Sequence, residues 1–242
     1  MKIKQKFILL FSNPKKFVNK SFDKLKYFKR FYLDKEIFLI ELKRWYKDNG
    51  DENLRLSYPS LNINSIVFDL GGYKGDFAFQ IYERYKCNVY IFEPHPTFYK
   101  FCIDRFKGNS KIHVFDFGLS DENGSFKLSD LDDGSSLFDR DGAASHIEVK
   151  VREFSPLFEE LNLKKIDLIK INIEGAEFPL LEHMYLKNIF PLIDNLQIQF
   201  HNFVDDAPSK KNLINQNLSL THTRTWNYEF VWENWEIHKD PL

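Results

Sequence analysis

The 242-residue chain reads as an α/β protein, with a doubly wound, mainly parallel seven-stranded sheet preceded by a helical appendage. Three observations carry that reading. From Ser65 onward, short apolar runs alternate with stretches of helical spacing, the pattern of βαβ units whose strands align in parallel. The first of those runs, Ile66 to Leu70, is nearly all apolar and stops at glycines, as a strand buried on both faces does. Charge is also uneven. Residues 1–50 carry 14 Lys and Arg against 5 Asp and Glu, a net +9, which leaves the remainder at −10.

The elements follow in order. Asn13-Pro14 has the form of a helix start, a capping side chain followed by proline at the first helical position. Apolar residues then recur at helical spacing to Trp45, and Asn49-Gly50 is a stop signal. This places a two-helix appendage at 1–60 and the main domain at 61–242. Strand one is Ile66–Leu70, with a helix near Asp76–Tyr85. Strand two is Asn88–Glu93; Pro94-His-Pro96 ends it and opens a helix to about Phe106. Strand three is Ile112–Phe117. Ser125–Leu128 and Ile147–Arg152 form an excursion around a polar loop at 129–146. Ser155-Pro156 opens another helix. Strand four, Asp167–Ile173, leads to Gly175 and a helix over Pro179–Leu186. Strand five is Leu196–Phe200, a helix covers Ser209–Leu220, and Tyr228–Trp232 with Trp235–His238 closes the sheet as an antiparallel pair.

Composition narrows the function classes. Net charge is −1, so nothing global points to nucleic acid as a partner. Cys87 and Cys102 have neither metal spacing nor a disulfide framework, which suits a reducing, cytoplasmic compartment. The apolar run Phe7–Phe11 is too short for a leader core or a membrane span, and no transmembrane segment is expected. The basic N-terminal arm is read as packing on its own domain or on a second copy, which would make a homo-oligomer through the N-terminal helices.

In doubly wound sheets ligands bind beyond the carboxyl ends of the strands, so the residues just after each strand are the informative ones. After strand one comes Asp69-Leu-Gly71-Gly72-Tyr-Lys-Gly75. A dinucleotide site wants Gly-x-Gly-x-x-Gly to receive pyrophosphate, and Leu70 breaks that register. Asp69 would also set a carboxylate beside the phosphates. S-adenosylmethionine has no phosphate and carries an ammonium and a sulfonium, which suit an acid before the glycines. Glu93 ends strand two, 22 residues after Gly71, where a carboxylate can accept both ribose hydroxyls. Asp116 and Phe117 end strand three and could meet the adenine amino group and wall its ring. Along strand four, alternation points Lys170, Asn172 and Glu174 the same way, toward water, each other or a ligand. His201 follows strand five on the same edge and can take a proton near neutral pH. A divalent metal on Glu174, Glu177 and His201 is a minor alternative to a metal-free site.

The runs Val67-Phe-Asp-Leu-Gly-Gly-Tyr-Lys-Gly75, Tyr90-Ile-Phe-Glu-Pro-His-Pro96, Gly118-Leu-Ser-Asp121 and Ile169-Lys-Ile-Asn-Ile-Glu-Gly-Ala-Glu177 together resemble the FkbM family of S-adenosylmethionine-dependent methyltransferases over roughly 65–203. The resemblance implies a Rossmann-like domain that O-methylates a sugar or other small-molecule or glycan acceptor, such as a surface-polysaccharide precursor. It implies cofactor contacts from Asp69, Gly71, Gly75 and Glu93; Gly72, in the same glycine loop, is expected to join them. The family's strand-four motif has Asp where this chain has Asn172, which removes one charge beside the cofactor or acceptor. The expected catalytic residues are His201, as first choice of base, with Glu174 and Asn172. Two rivals stand beside this reading: a dinucleotide-dependent oxidoreductase on the same fold, and a non-catalytic methyltransferase-like binding protein.

Overall fold

The computed structural model describes residues 36–129 and 146–238. A seven-stranded sheet forms its centre: β1 (Ile66–Leu70), β2 (Asn88–Phe92), β3 (Ile112–Phe115), β7 (Leu168–Ile171), β8 (Asn195–Ile198), β9 (His222–Tyr228) and β10 (Trp232–Ile237). The spatial order is β3-β2-β1-β7-β8-β10-β9. The first five strands run parallel, while β10 is antiparallel to both neighbours. Strand order reverses between β1 and β7, which makes the gap above them the switch point where such sheets take ligands.

The expected strands all form, with shifted ends. Strand three stops at Phe115, and Gly118–Ser120 begins a separate strand, β4. With β5 (Gly124–Ser129) and β6 (His146–Glu153) it forms a second sheet of order β4-β6-β5. The expected excursion is thus a small sheet of its own; its connecting loop, 130–145, lies outside the described residues. Strand four stops at Ile171. The closing pair is also re-registered. Tyr228 ends β9 and Trp232 opens β10, so residues 229–231, expected within a strand, are the turn between them, and β9 begins six residues earlier at His222.

Helices cover both faces. On one, α2 (Asp76–Tyr85) and α3 (Pro96–Arg105) bring Phe77, Ala78, Ile81 and Cys102 against Val67, Val89, Ile91 and Leu168. On the other, α4 (Leu157–Glu160), α5 (Glu177–Leu186) and α6 (Ala207–Leu218) bring Leu157, Phe178, Leu181 and Ile214 against Phe68, Leu70, Ile169 and Ile171. Strand alternation explains the split: Val67 and Asp69 face one layer, Phe68 and Leu70 the other. Each side chain fully buried this way contributes about 1.5–3 kcal/mol.

The described part of the appendage, α1 (Ile37–Lys47) and a π-helical turn at Asp51–Arg55, lies on the sheet. The buried Trp45 meets Tyr228 edge-on at 5.0 Å and Trp226 at 5.8 Å. Arg44 stands 4.1 Å over the Tyr228 ring, and the Tyr228 hydroxyl donates to Asp48. Arg55 stacks on Trp232 at 4.2 Å and donates to Gln197 on β8; Gln197 donates to the Tyr58 hydroxyl, which donates to Asn234 on β10. A buried Gln and Asn in a sheet require such partners, and residues 55–58 supply them. The helix expected from Asn13-Pro14 lies outside the described residues.

Candidate active site

Four loops meet at the carboxyl edge of the sheet, after β1, β2, β7 and β8. The β1 loop crosses against the β7 loop. Gly71 has φ +75°, and a β-carbon there would lie 2.0 Å from the Asn172 carbonyl oxygen, so this crossing requires glycine. Gly72 packs against Ile91 with no room for a side chain, and Gly75 is the residue before α2. Asp69 is fully buried at the base of the loop. Its Oδ1 takes a 2.8 Å bond from Lys170 Nζ, which also donates to the carbonyls of Leu70 and Gly71. Register explains the pair: Asp69 and Lys170 are direct neighbours across β1 and β7. Strand-four polarity at Lys170 is therefore an ion pair that ties β7 to the glycine loop. Asp69 Oδ2 is buried and has no hydrogen-bond partner among the described residues. A buried acceptor of that kind suits a donor brought in by a ligand.

Glu93 lies one strand over and is 5% exposed. It accepts from the backbone N–H of Tyr73 at 2.6 Å and of His95 at 2.9 Å. Burial outweighs those bonds and pushes its carboxyl up to about 7. Tyr73 donates from a left-handed conformation, φ +50°, and its ring rests on Phe98 at 4.4 Å. The strand-three residues depart from expectation. Asp116 is exposed in the turn after β3. Phe117 is core: its ring packs on Phe92 and Phe115, with the Arg152 guanidinium 4.7 Å above it. Strand three ends two residues early, so both residues lie in the bend that leads into β4.

The other half of this edge is built by the loops after β7 and β8. Since β7 stops at Ile171, the expected alternation through Asn172 and Glu174 does not extend there. Asn172 is half-buried, while Glu174 is exposed in a turn at φ +55°. His201 is buried; Glu177 Oε1 accepts from its backbone N–H (2.8 Å) and lies at hydrogen-bond distance from its Nδ1 (2.9 Å). Glu177, fully buried, also accepts at Oε2 from the Gly175 N–H. Phe203 lies 5.2 Å from the imidazole and keeps 41% of its surface exposed. Glu177 and Phe203 were not among the expected catalytic residues. The one available signal was an acid at the start of a helix three residues beyond Glu174. Among the described residues no three His, Cys, Asp or Glu side chains are grouped to hold a metal.

A family profile described as the methyltransferase FkbM domain matches residues 69–219. This chain belongs to the FkbM methyltransferase family. The FkbM match opens on Asp69, the partner of Lys170, and closes just after α6, so it spans the glycine loop, Glu93, Glu177 and His201 and leaves out α1 and the β9–β10 hairpin. "Methyltransferase 1" of Beauveria bassiana is 24% identical over 180 residues, covering 62% of this chain and 70% of that protein. Among solved structures, M. capricolum TrmK with S-adenosyl-homocysteine is 15% identical with TM-score 0.42, covering 75% of this chain and 65% of that one. The N-methyltransferase NodS of Bradyrhizobium japonicum is 12% identical with TM-score 0.45, covering 81% and 98%.

Proposed function

We propose that this FkbM-family methyltransferase binds S-adenosylmethionine in the β1–β2 half of the site and methylates a hydroxyl, most simply that of a sugar, in the β7–β8 half. The observation that carries the reading is the pair of buried carboxylates at successive strand ends. Asp69 Oδ2 offers an acceptor without a partner among the described residues, and Glu93 stands where ribose hydroxyls would donate. A buried carboxylate beneath the glycines disfavours a pyrophosphate, which argues against the dinucleotide alternative.

The cofactor supplies a methyl group already activated on a sulfonium. The chain's residues must align the acceptor and move one proton. Alignment contributes on the order of 7–11 kcal/mol in well-oriented reactions. With S-adenosylmethionine bound, the hydroxyl oxygen would take the methyl while the carbon–sulfur electron pair stayed on sulfur, and His201 Nε2 would take the hydroxyl proton. Phe203 beside His201 offers a flat apolar face of the kind that stacks on the C–H face of a sugar ring. Cys87 and Cys102 are free and buried, in keeping with a cytoplasmic setting. No described helix is long and apolar enough to cross a membrane.

The test is a panel of nucleotide-sugars incubated with isotopically labelled S-adenosylmethionine and read by mass spectrometry. Gain of one labelled methyl on a sugar is expected. Labelling of RNA alone, or of no hydroxyl compound, overturns the sugar assignment.

A further inference from the structure

We propose that Glu177 positions His201 for proton removal, by holding the imidazole proton on Nδ1 and leaving the Nε2 lone pair for the acceptor. The inference rests on the reading of His201 as the base. Two of the three groups bonded to Glu177, the N–H of Gly175 and the N–H of His201, are backbone donors and cannot reverse. Both carboxylate oxygens are therefore acceptors, the only role an ionised carboxylate has. Glu177 is also the first residue of α5, where the helix dipole favours negative charge. Nδ1, 2.9 Å from the same Oε1, must then arrive as the third donor. A neutral imidazole with its proton on Nδ1 has its basic lone pair on Nε2.

The packing around the pair serves the same end. The β7 and β8 loops touch at Gly175, where a β-carbon would lie 2.9 Å from Val204 and 3.3 Å from Phe203. That close approach brings the start of α5 beneath His201, and Phe203 lies against the imidazole. After proton transfer, the positive ring would face a carboxylate at 2.9 Å. Glu174, the acid that sequence alternation singles out, is exposed in its turn. Glu177 is the acid bonded to the imidazole. Glu177 has no path to the acceptor itself, being fully buried, so it is a positioning residue.

The tautomer can be read without knowing the acceptor. The full chain, labelled with ¹⁵N-histidine, is examined by long-range ¹H–¹⁵N correlation at about pH 8, where a free imidazole is neutral; His201 is assigned from the signals lost in His201→Asn. The expected spectrum has a protonated Nδ1 and an unprotonated Nε2. In Glu177→Ala no carboxylate oxygen faces Nδ1, so the fixed tautomer should be lost and Nε2 should shift toward the protonated type. A wild-type spectrum with the proton on Nε2 overturns the proposal, as does an unchanged His201 spectrum in Glu177→Ala. If the variant does not fold, the wild-type spectrum alone decides. Titrating the wild-type sample with S-adenosylmethionine is a separate readout: absence of binding overturns the proposed function, whereas the tautomer decides the role of Glu177.

Discussion

Two buried carboxylates at the cofactor half are held in opposite ways, and each leads to a measurable consequence. Glu93 titrates at about 7 in the fold against 4.5 for the ordinary glutamate, because burial outweighs two backbone hydrogen bonds. Between those values the folded chain keeps a proton that the unfolded chain has released. Its contribution to stability is therefore present below 4.5 and is lost as pH rises through about 7. Ribose hydroxyls donate best to the charged form, so cofactor affinity should weaken as pH falls through about 7 and level off above it. Calorimetry about one pH unit either side of that value checks this; equal affinities would contradict it. Asp69, in contrast, is compensated by Lys170. Lys170→Met should cost about 3–5 kcal/mol in urea unfolding, because it strands a buried carboxylate, and a loss below about 1 kcal/mol would remove the pair from the stability argument. The placement of Asp69 and Glu93 at consecutive strand ends was legible in the sequence because the apolar runs they close stop at glycines and at Pro94. The Asp69–Lys170 pair was not, because it depends on cross-strand register, which a single chain does not spell out. Glu177 was grouped with His201 only as a possible metal ligand; its hydrogen bonds to His201 were not legible, because they depend on how a helix start meets a loop 24 residues away.

At the scale of elements, the strands and helices of the main domain were legible because their apolar runs are short and sharply punctuated. Two of the misplaced boundaries share one cause. Aromatic residues continue past the strand ends at Phe117 and at Tyr228–Trp232, where they pack into clusters, and a periodicity reading extends the strand through them. The small β4-β6-β5 sheet is non-local in part, with Gly118 paired to Val151, so its third strand had no local signature. The appendage also has a role its composition did not reveal. Arg55 and Tyr58 satisfy Gln197 and Asn234 of the sheet, and Trp45 covers Tyr228, Val231 and Trp232. Trp45→Ala should thus destabilise the whole domain by about 3–5 kcal/mol, as truncation of a buried tryptophan does. Chemical denaturation followed by far-UV circular dichroism measures it; an unchanged midpoint would mean that α1 is only laid upon the sheet.

At the scale of the molecule, the reversal of strand order between β1 and β7 divides one sheet edge into two working halves. The carboxylates of the β1–β2 half suit a cationic, nucleoside-bearing cofactor, and the β7–β8 half holds a histidine fixed by Glu177 beside an exposed aromatic ring. The first half is proposed to bind S-adenosylmethionine through Glu93. The direct measurement is calorimetric titration of the full chain and of Glu93→Ala with S-adenosylmethionine and its demethylated product, with NAD as the control ligand. Saturable binding of both methyl-donor ligands is expected, weakened about 10–100-fold in Glu93→Ala by loss of a charged acceptor worth roughly 1.5–3 kcal/mol, with no heat from NAD. Binding of NAD in place of S-adenosylmethionine, or equal S-adenosylmethionine affinity in the wild type and Glu93→Ala, would contradict it.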